Sequence, residues 1–273
     1  MKYPINFHQT FAPEVDALAQ IVRVASPEME FLSKEEISSL TSITTGASSG
    51  KVVPNLYYAQ AMGLIYLEKD GANYKFKLTD LGEVLKCEDP YFIEDITKLI
   101  CHINLVSLTS PAVLWSFVFN KFIPQVPSPF TSEQLEKVAA RYLEEKTVKL
   151  LPFRSTYNGN HSLKSITPLT IEEDNFDVSP LPVLGDYRFV YSYALFNMWE
   201  ELLEDESEIT IDQVQNQLGF GKQFVWSEKQ VYEALELIKE EGLIEINAQL
   251  SPITVIKKSS KNNVLDKLYS LLL

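Results

Sequence analysis

Lys51, Asn55 and Tyr58, in the stretch SGKVVPNLYYAQAMGLI, recur at intervals of three and four residues. At 100° per residue they share one helical face with Met62, while Val52, Leu56, Ala59 and Gly63 share the other and Val53 lies at its margin. Asparagine can bond an adenine edge and lysine can neutralise a phosphate, so this face has the chemistry of DNA contact. Further along, LIYLE runs out, KDGAN turns, and YKFKLT returns with Tyr74, Phe76 and Leu78 alternating against Lys75 and Lys77. That is a hairpin pattern. With Lys69 at its turn, the whole reads as a winged helix, its helix toward a groove and Lys69, Lys75 and Lys77 toward phosphates. A winged helix used only for packing or protein contact is the alternative that the residues leave open.

The elements needed to position these residues are marked in the sequence. Pro54 must lie in the first turn of its helix, because further in it would delete a backbone hydrogen bond, and Gly63 is suited to end that helix. Four Ser/Thr-x-x-Glu/Gln boxes, at Ser33, Thr131, Thr210 and Ser227, predict helix starts. The expected fold is mainly α with small β-hairpins, an α+β class. It divides into an N-terminal winged-helix domain over 1–88, a helical middle over 89–150, a long loop or insertion over 151–187, and a C-terminal winged-helix-like domain over 188–273. The middle has an aromatic core of Phe92, Leu99, His102, Leu105, Trp115, Phe117, Phe119 and Phe122, in which His102 reads as a hydrogen-bonded core residue. The loop, rich in Pro, Gly, Asn and Ser, places Arg154, Tyr157, His161 and Lys164 where a second ligand site is expected.

Charge limits what the chain can bind. Its 273 residues are 45% apolar and 22% charged, with a net charge of -13 and a pI near 4.8. Broad, sequence-independent binding to phosphates is therefore disfavoured. The charge is unevenly spread: Thr45 to Thr79 holds four lysines against Glu68 and Asp70, whereas Glu200 to Asp212 holds seven acids and no base. The segment Ser227 to Lys258 repeats the helix, GLI exit and hairpin, but its helix offers Glu228, Glu233, Glu236, Glu240 and Glu241 against Lys229 and Lys239. Such a face repels a groove, and the module reads as structural or protein-binding. No apolar run reaches the roughly 20 residues of a membrane helix, the N-terminal residues lack a signal-peptide pattern, and a cytoplasmic protein without membrane contact is expected.

Catalytic motifs are harder to find. Cys87, Cys101, His8, His102 and His161 are too few and scattered for a structural zinc site, and both cysteines read as free, buried thiols. There is no Gly-rich phosphate loop or nucleophile elbow. Glu144 to Lys146 has a nuclease-like EEK spacing but reads as a solvated turn. A DNA nick would need acidic residues holding a divalent metal, assembled here from distant segments.

As a set, FHQTF at 7–11, SGKVVPNLYYAQAMGLI, LTDLGEVL, DPYFIEDITKLICHINL running into WSFVFNKF, FTSEQL, PFRSTY and SPLPVLGDYRF resemble, in this order, a bacterial family known as domain of unknown function 4007. The resemblance spans nearly the whole chain. It implies a role beside DNA phosphorothioation and phage-defence genes, with DNA and other proteins of the same defence system as partners. It also implies an activity that includes metal-dependent DNA nicking, with His8, Arg154 and Tyr157 as candidate site residues. Where the family pattern has Glu after the first histidine and Arg a few residues on, this chain has Gln9 and Glu14.

Overall fold

The computed structural model describes residues 3–46, 49–249 and 251–272. The chain has an α+β fold of short helices and three small antiparallel sheets, arranged as two compact units, Met1–Val178 and Ser179–Leu273. Ser48, at the start of the expected recognition segment, lies outside the described residues. Among those described, no helix is long and apolar enough to cross a membrane.

In the first unit α1 (Val15–Val24) buries Ala17, Leu18, Ile21 and Val22 on one stripe. α2 (Lys34–Thr41) starts at the Ser33/Glu36 capping box and ends at Ser42 in the left-handed region. α3 (Val52–Ala61) has Pro54 in its first turn, where the missing amide costs nothing. It differs from its neighbours in being buried nearly all round: Val52, Pro54, Asn55, Leu56, Tyr58, Ala59 and Ala61 are all interior. A helix apolar on every side belongs in a core. It ends at Gly63 with φ +73°, and the Asn104 side chain donates to the Met62 carbonyl at 2.9 Å, satisfying the helix end.

β1 (Ile65–Asp70) and β2 (Asn73–Leu78) then pair with Ile65 opposite Leu78, Leu67 opposite Phe76 and Glu68 opposite Lys75. A single bridge from Leu32 to Tyr74 adds the segment before α2 to this hairpin. Thr79 joins the hairpin to α4 (Asp80–Glu88): its Oγ donates to the Gly63 carbonyl at 2.6 Å and accepts the Gly82 amide at 3.0 Å. α5 (Asp95–Leu105) is opened by the buried Asp89 carboxylate, which accepts from the Ile93 and Glu94 amides and the Thr97 hydroxyl. α6 (Val113–Phe117) continues into a π-helical turn, Val118–Phe122. All eight core residues expected in this region are buried.

The segment expected as a long loop is folded. It contains α8 (Leu151–Asn158), and β4 (Leu169–Glu172) pairs with β5 (Asn175–Val178), which also pairs with β3 (Phe130–Thr131) at the head of α7 (Ser132–Tyr142). Its Pro, Gly and Asn residues punctuate short elements instead of replacing them: Pro152 sits in the first turn of α8 and Gly159 at its end. The alternation of Leu169, Ile171 and Phe176 inward is a strand signal that lies between those breakers.

The second unit is built around α9 (Arg188–Leu202), again buried on most sides. β6 (Glu208–Thr210), β7 (Ile244–Asn247) and β8 (Thr254–Lys257) form a sheet in the order β6-β8-β7. Thr210 and Gln213 bond reciprocally at 3.1 and 2.9 Å and open a helical stretch that is π-wound over Gln213–Gln217. α10 (Glu228–Glu240) follows its Ser227/Gln230 box, and Gly242 at φ +69° matches the left-handed exit of Gly63. α11 (Lys261–Leu265) packs on α9. The second tryptophan of this unit, Trp226, donates from Nε1 to the Leu181 carbonyl at 2.8 Å.

Gly82 allows α4 to lie directly on the hairpin strand, since a Cβ there would stand 2.1 Å from the Leu64 carbonyl oxygen. Backbone cannot yield as a side-chain tip does. Gly82→Ala is expected to destabilise the chain by about 3 kcal/mol, as overpacking does, with urea unfolding as the check.

Candidate nucleic-acid interface

The residues with DNA-contacting chemistry divide by burial. Asn55 and Tyr58 are fully buried. The Asn55 Oδ1 accepts the Glu14 amide at 3.1 Å and its Nδ2 donates to the Lys51 carbonyl at 2.9 Å. The Tyr58 hydroxyl donates to the Phe11 carbonyl at 3.0 Å, and burial holds its pKa well above the ordinary tyrosine range. Lys51 pairs with Glu14 at 2.5 Å. Tyr3 covers part of what remains of α3, bonding to the Tyr57 carbonyl at 3.3 Å and to the Gln60 side chain. The polar face of α3 is thus an internal seam, and Asn55 and Tyr58 have no access to a groove. Their types and spacing match a recognition helix, but their hydrogen bonds are spent inside the unit.

The hairpin remains outside. The register places Tyr66 opposite Lys77 and Glu68 opposite Lys75 on one face, and Lys69 opposite Tyr74 on the other. Tyr66 is 55% exposed, with the Lys77 ammonium 5.5 Å from its ring centre; Lys69 stands 5.9 Å from the Tyr74 ring. Among the described residues neither Lys75 nor Lys77 makes an ion pair. The four lysines therefore do not merge: Lys51 is neutralised, Lys69 faces away, and Lys75 and Lys77 share the outer face with Tyr66 and Glu68.

The residues singled out by resemblance converge below this surface. His8 is 1% exposed, with its ring against Phe7 and Trp115 and Nδ1 3.2 Å from the Gln9 carbonyl. Tyr157 is equally buried, its hydroxyl 3.1 Å from His102 Nδ1. Trp115 is fully buried with Nε1 lacking a hydrogen-bond partner; Tyr58 and Phe153 pack on its ring. His8 and Tyr157 are thus parts of one aromatic core. Arg154 is half-buried and pairs with Asp174 at 3.0 Å, while also donating to Ser132 Oγ and to the Glu173 carbonyl. It ties the β4–β5 turn to the start of α7.

His161 and Lys164, also expected near a ligand, lie on an open cleft of the first unit with Tyr91, Ile93 and Lys98. The sequence reading does not reach those last three; the signal for them is DPYFIED, where Tyr and Ile flank a buried Phe. Cys101 is buried and Cys87 exposed, both free. Glu144–Lys146 is an exposed turn at the end of α7. Among the described residues no three carboxylate, imidazole or thiol groups converge as ligands of a divalent metal.

A family model described as "Protein of unknown function (DUF4007)" matches residues 6–158. No curated protein sequence matches the chain. Among solved structures, crystal structures of SspB are similar in fold. The magnesium-bound form is 17% identical and the other 16%; for each the TM-score is 0.76, with 97% of this chain and 88% of that chain covered.

Two measurements test the interior roles. Asn55→Ala strands the Glu14 amide and removes the side-chain bond to the Lys51 carbonyl, which keeps the backbone amide of residue 55, and is expected to cost about 2 kcal/mol in urea unfolding; a groove-facing Asn55 would leave stability unchanged. His8 has its pKa lowered to about 4, chiefly by burial and slightly by Lys149, against an opposing bond to the Gln9 carbonyl. The unfolded chain takes up this proton near pH 6.5, before the folded one, so stability falls as pH drops from about 6.5 to 4 and then levels. The loss is on the order of 3 kcal/mol, and His8→Asn is expected to flatten that part of the stability–pH curve.

Proposed function

The chain belongs to the DUF4007 family, and on that premise we propose that it is a DNA-contacting component of a DNA phosphorothioation or related phage-defence system. The observation that carries this reading is the likeness to SspB over 97% of the chain. A likeness of that extent includes both units, and so favours a shared role over a shared fragment.

On this reading α1, α2, α3 and the β1–β2 hairpin form a winged helix that works through its wing. The helix is committed to the core, so contact falls to Lys75, Lys77 and Tyr66 on the outer strand face. Such contacts neutralise phosphates and fix orientation but carry no sequence information. Affinity from this surface alone is modest and salt-sensitive, and recognition of a particular sequence or modification rests with partner proteins.

The second unit serves a protein partner. Glu228, Glu233, Glu236 and Glu240 are exposed along α10, with Lys229 and Lys239 already paired to Glu233 and Glu236 at 3.5 and 2.8 Å. This face repels phosphate and suits a partner with a basic surface.

Binding of a labelled DNA duplex at several salt concentrations tests the wing. The wild-type chain is expected to bind with a log–log salt dependence that Lys75→Gln with Lys77→Gln reduces by about 2, one phosphate per lysine. Lys77 is exposed and Lys75 half-exposed on the outer strand face, so the variant is expected to keep its fold, which an unchanged thermal midpoint checks. Unchanged affinity and slope in the double variant would overturn the assignment to the wing; absence of duplex binding at low salt would favour a protein adaptor.

A further inference from the structure

The open cleft of the first unit has features that the core and the wing do not use. Its volume is about 620 Å³, within the range of small-ligand sites. One wall is the loop before α5. The Asp89 carboxylate holds this loop from inside, and Phe92 is buried at φ +53°. A left-handed conformation at a bulky residue is strained. Here it leaves Tyr91 and Ile93, on either side of Phe92, 58% and 69% exposed. The Arg23 guanidinium lies 5.0 Å from the Tyr91 ring centre, which places a cation beside an open aromatic.

The other wall carries polar groups. Asp95 joins the two walls, accepting from Ser165 Oγ at 2.7 Å and pairing with Lys98 at 3.2 Å. Lys98 also donates to the Ile93 carbonyl at 2.8 Å, which fixes the loop beside it. Lys164 and His161 are exposed, and the His161 carbonyl holds the Val15 amide at 2.9 Å, so the N-terminus of α1 opens on the same space. Glu14 makes no side-chain cap there. Ser162 lines the cleft, is 8% exposed, and its Oγ has no hydrogen-bond partner. A buried hydroxyl without a partner is costly and calls for one. Asp16 is the one carboxylate among the lining residues, and with Lys98 paired to Asp95 the exposed cation of the lining is Lys164.

An exposed aromatic beside a cation, an apolar neighbour, the exposed Lys164 and a buried hydroxyl without a partner together suit a flat base joined to a phosphate. We propose that this cleft holds one nucleotide of single-stranded DNA, its base against Tyr91 and Ile93 and its phosphate toward Lys164, Lys98 and Ser162. The proposal rests on the DNA-contacting reading of the chain and adds a site for an unpaired strand. A base has a stacking face whatever its identity, so the site is tolerant of sequence. The wing takes duplex backbone; the cleft takes a strand that has left the duplex.

The test uses the full chain with two labelled probes, a short oligothymidylate and a duplex, followed by anisotropy at low salt. Tyr91→Ala is expected to weaken oligothymidylate binding by about tenfold, as removal of one stacking partner does. Tyr91→Phe should keep that binding, and Lys164→Gln should lower its salt dependence. Tyr91 is exposed, so the thermal midpoint should not move. Lys75→Gln with Lys77→Gln should weaken the duplex and leave oligothymidylate unaffected. If the wild-type chain binds oligothymidylate and Tyr91→Ala binds it equally well, the cleft assignment is overturned while the DNA reading stands. If the wild-type chain binds duplex alone, the cleft assignment likewise falls; if it binds neither probe, both readings fall together.

Discussion

The Asn55 carboxamide is the constraint from which the arrangement of the first unit follows. By accepting the Glu14 amide and donating to the Lys51 carbonyl, it locks the start of α1 to the first turn of α3, and Lys51 paired with Glu14 closes the same junction. Once that corner is fixed, α3 turns only the half-buried Val53, Tyr57 and Gln60 toward solvent. Phe7, His8 and Phe11 are drawn over it, Trp115 and Phe153 close in from the middle of the chain, and the start of α1 is delivered to the cleft beside His161. A short polar side chain at one interior position thereby sets both what the unit cannot use, its third helix, and what it presents instead.

This junction also explains which parts were legible in the sequence. Helix starts were, because a capping box acts through neighbours three residues apart: Ser33, Thr131, Thr210 and Ser227 all make their reciprocal bonds. Gly63, Pro54 and the alternation through β2 act locally as well. The solvent face of α3 was not legible. Lys51, Asn55 and Tyr58 form a polar stripe at helical spacing, and periodicity assigns such a stripe to solvent. Their partners, Glu14 and Phe11, lie some 40 residues away in sequence and satisfy the polar atoms internally. The same limit applies to His8 and Tyr157, whose polar atoms suggest chemistry and whose surroundings are aromatic. Between Leu151 and Tyr187, composition dominated by turn formers concealed elements only four to eight residues long.

The uneven charge of the chain takes on a structural meaning once the elements are placed. The acidic surplus is shared between the two units, but in the second it is concentrated along α10 and the segment leading to β6, while in the first Glu14, Asp95 and Asp174 are each bonded to a cation. Those three carboxylates act as fasteners within the unit, and the hairpin lysines Lys75 and Lys77 stay outside any ion pair, with Glu68 beside them on the same face. A net charge of -13 describes neither surface. What an approaching polyanion meets depends on which patch it meets first.

The placement of tryptophan gives the molecule a built-in optical separation. Trp115 is the sole tryptophan of the first unit and is fully buried against Tyr58 and Phe153, while Trp199 and Trp226 belong to the second. With the latter two replaced by phenylalanine, emission would report one unit alone. Set beside a signal from the whole backbone, such as circular dichroism, the colour of that single indole tells whether the two units lose structure in one cooperative step or separately.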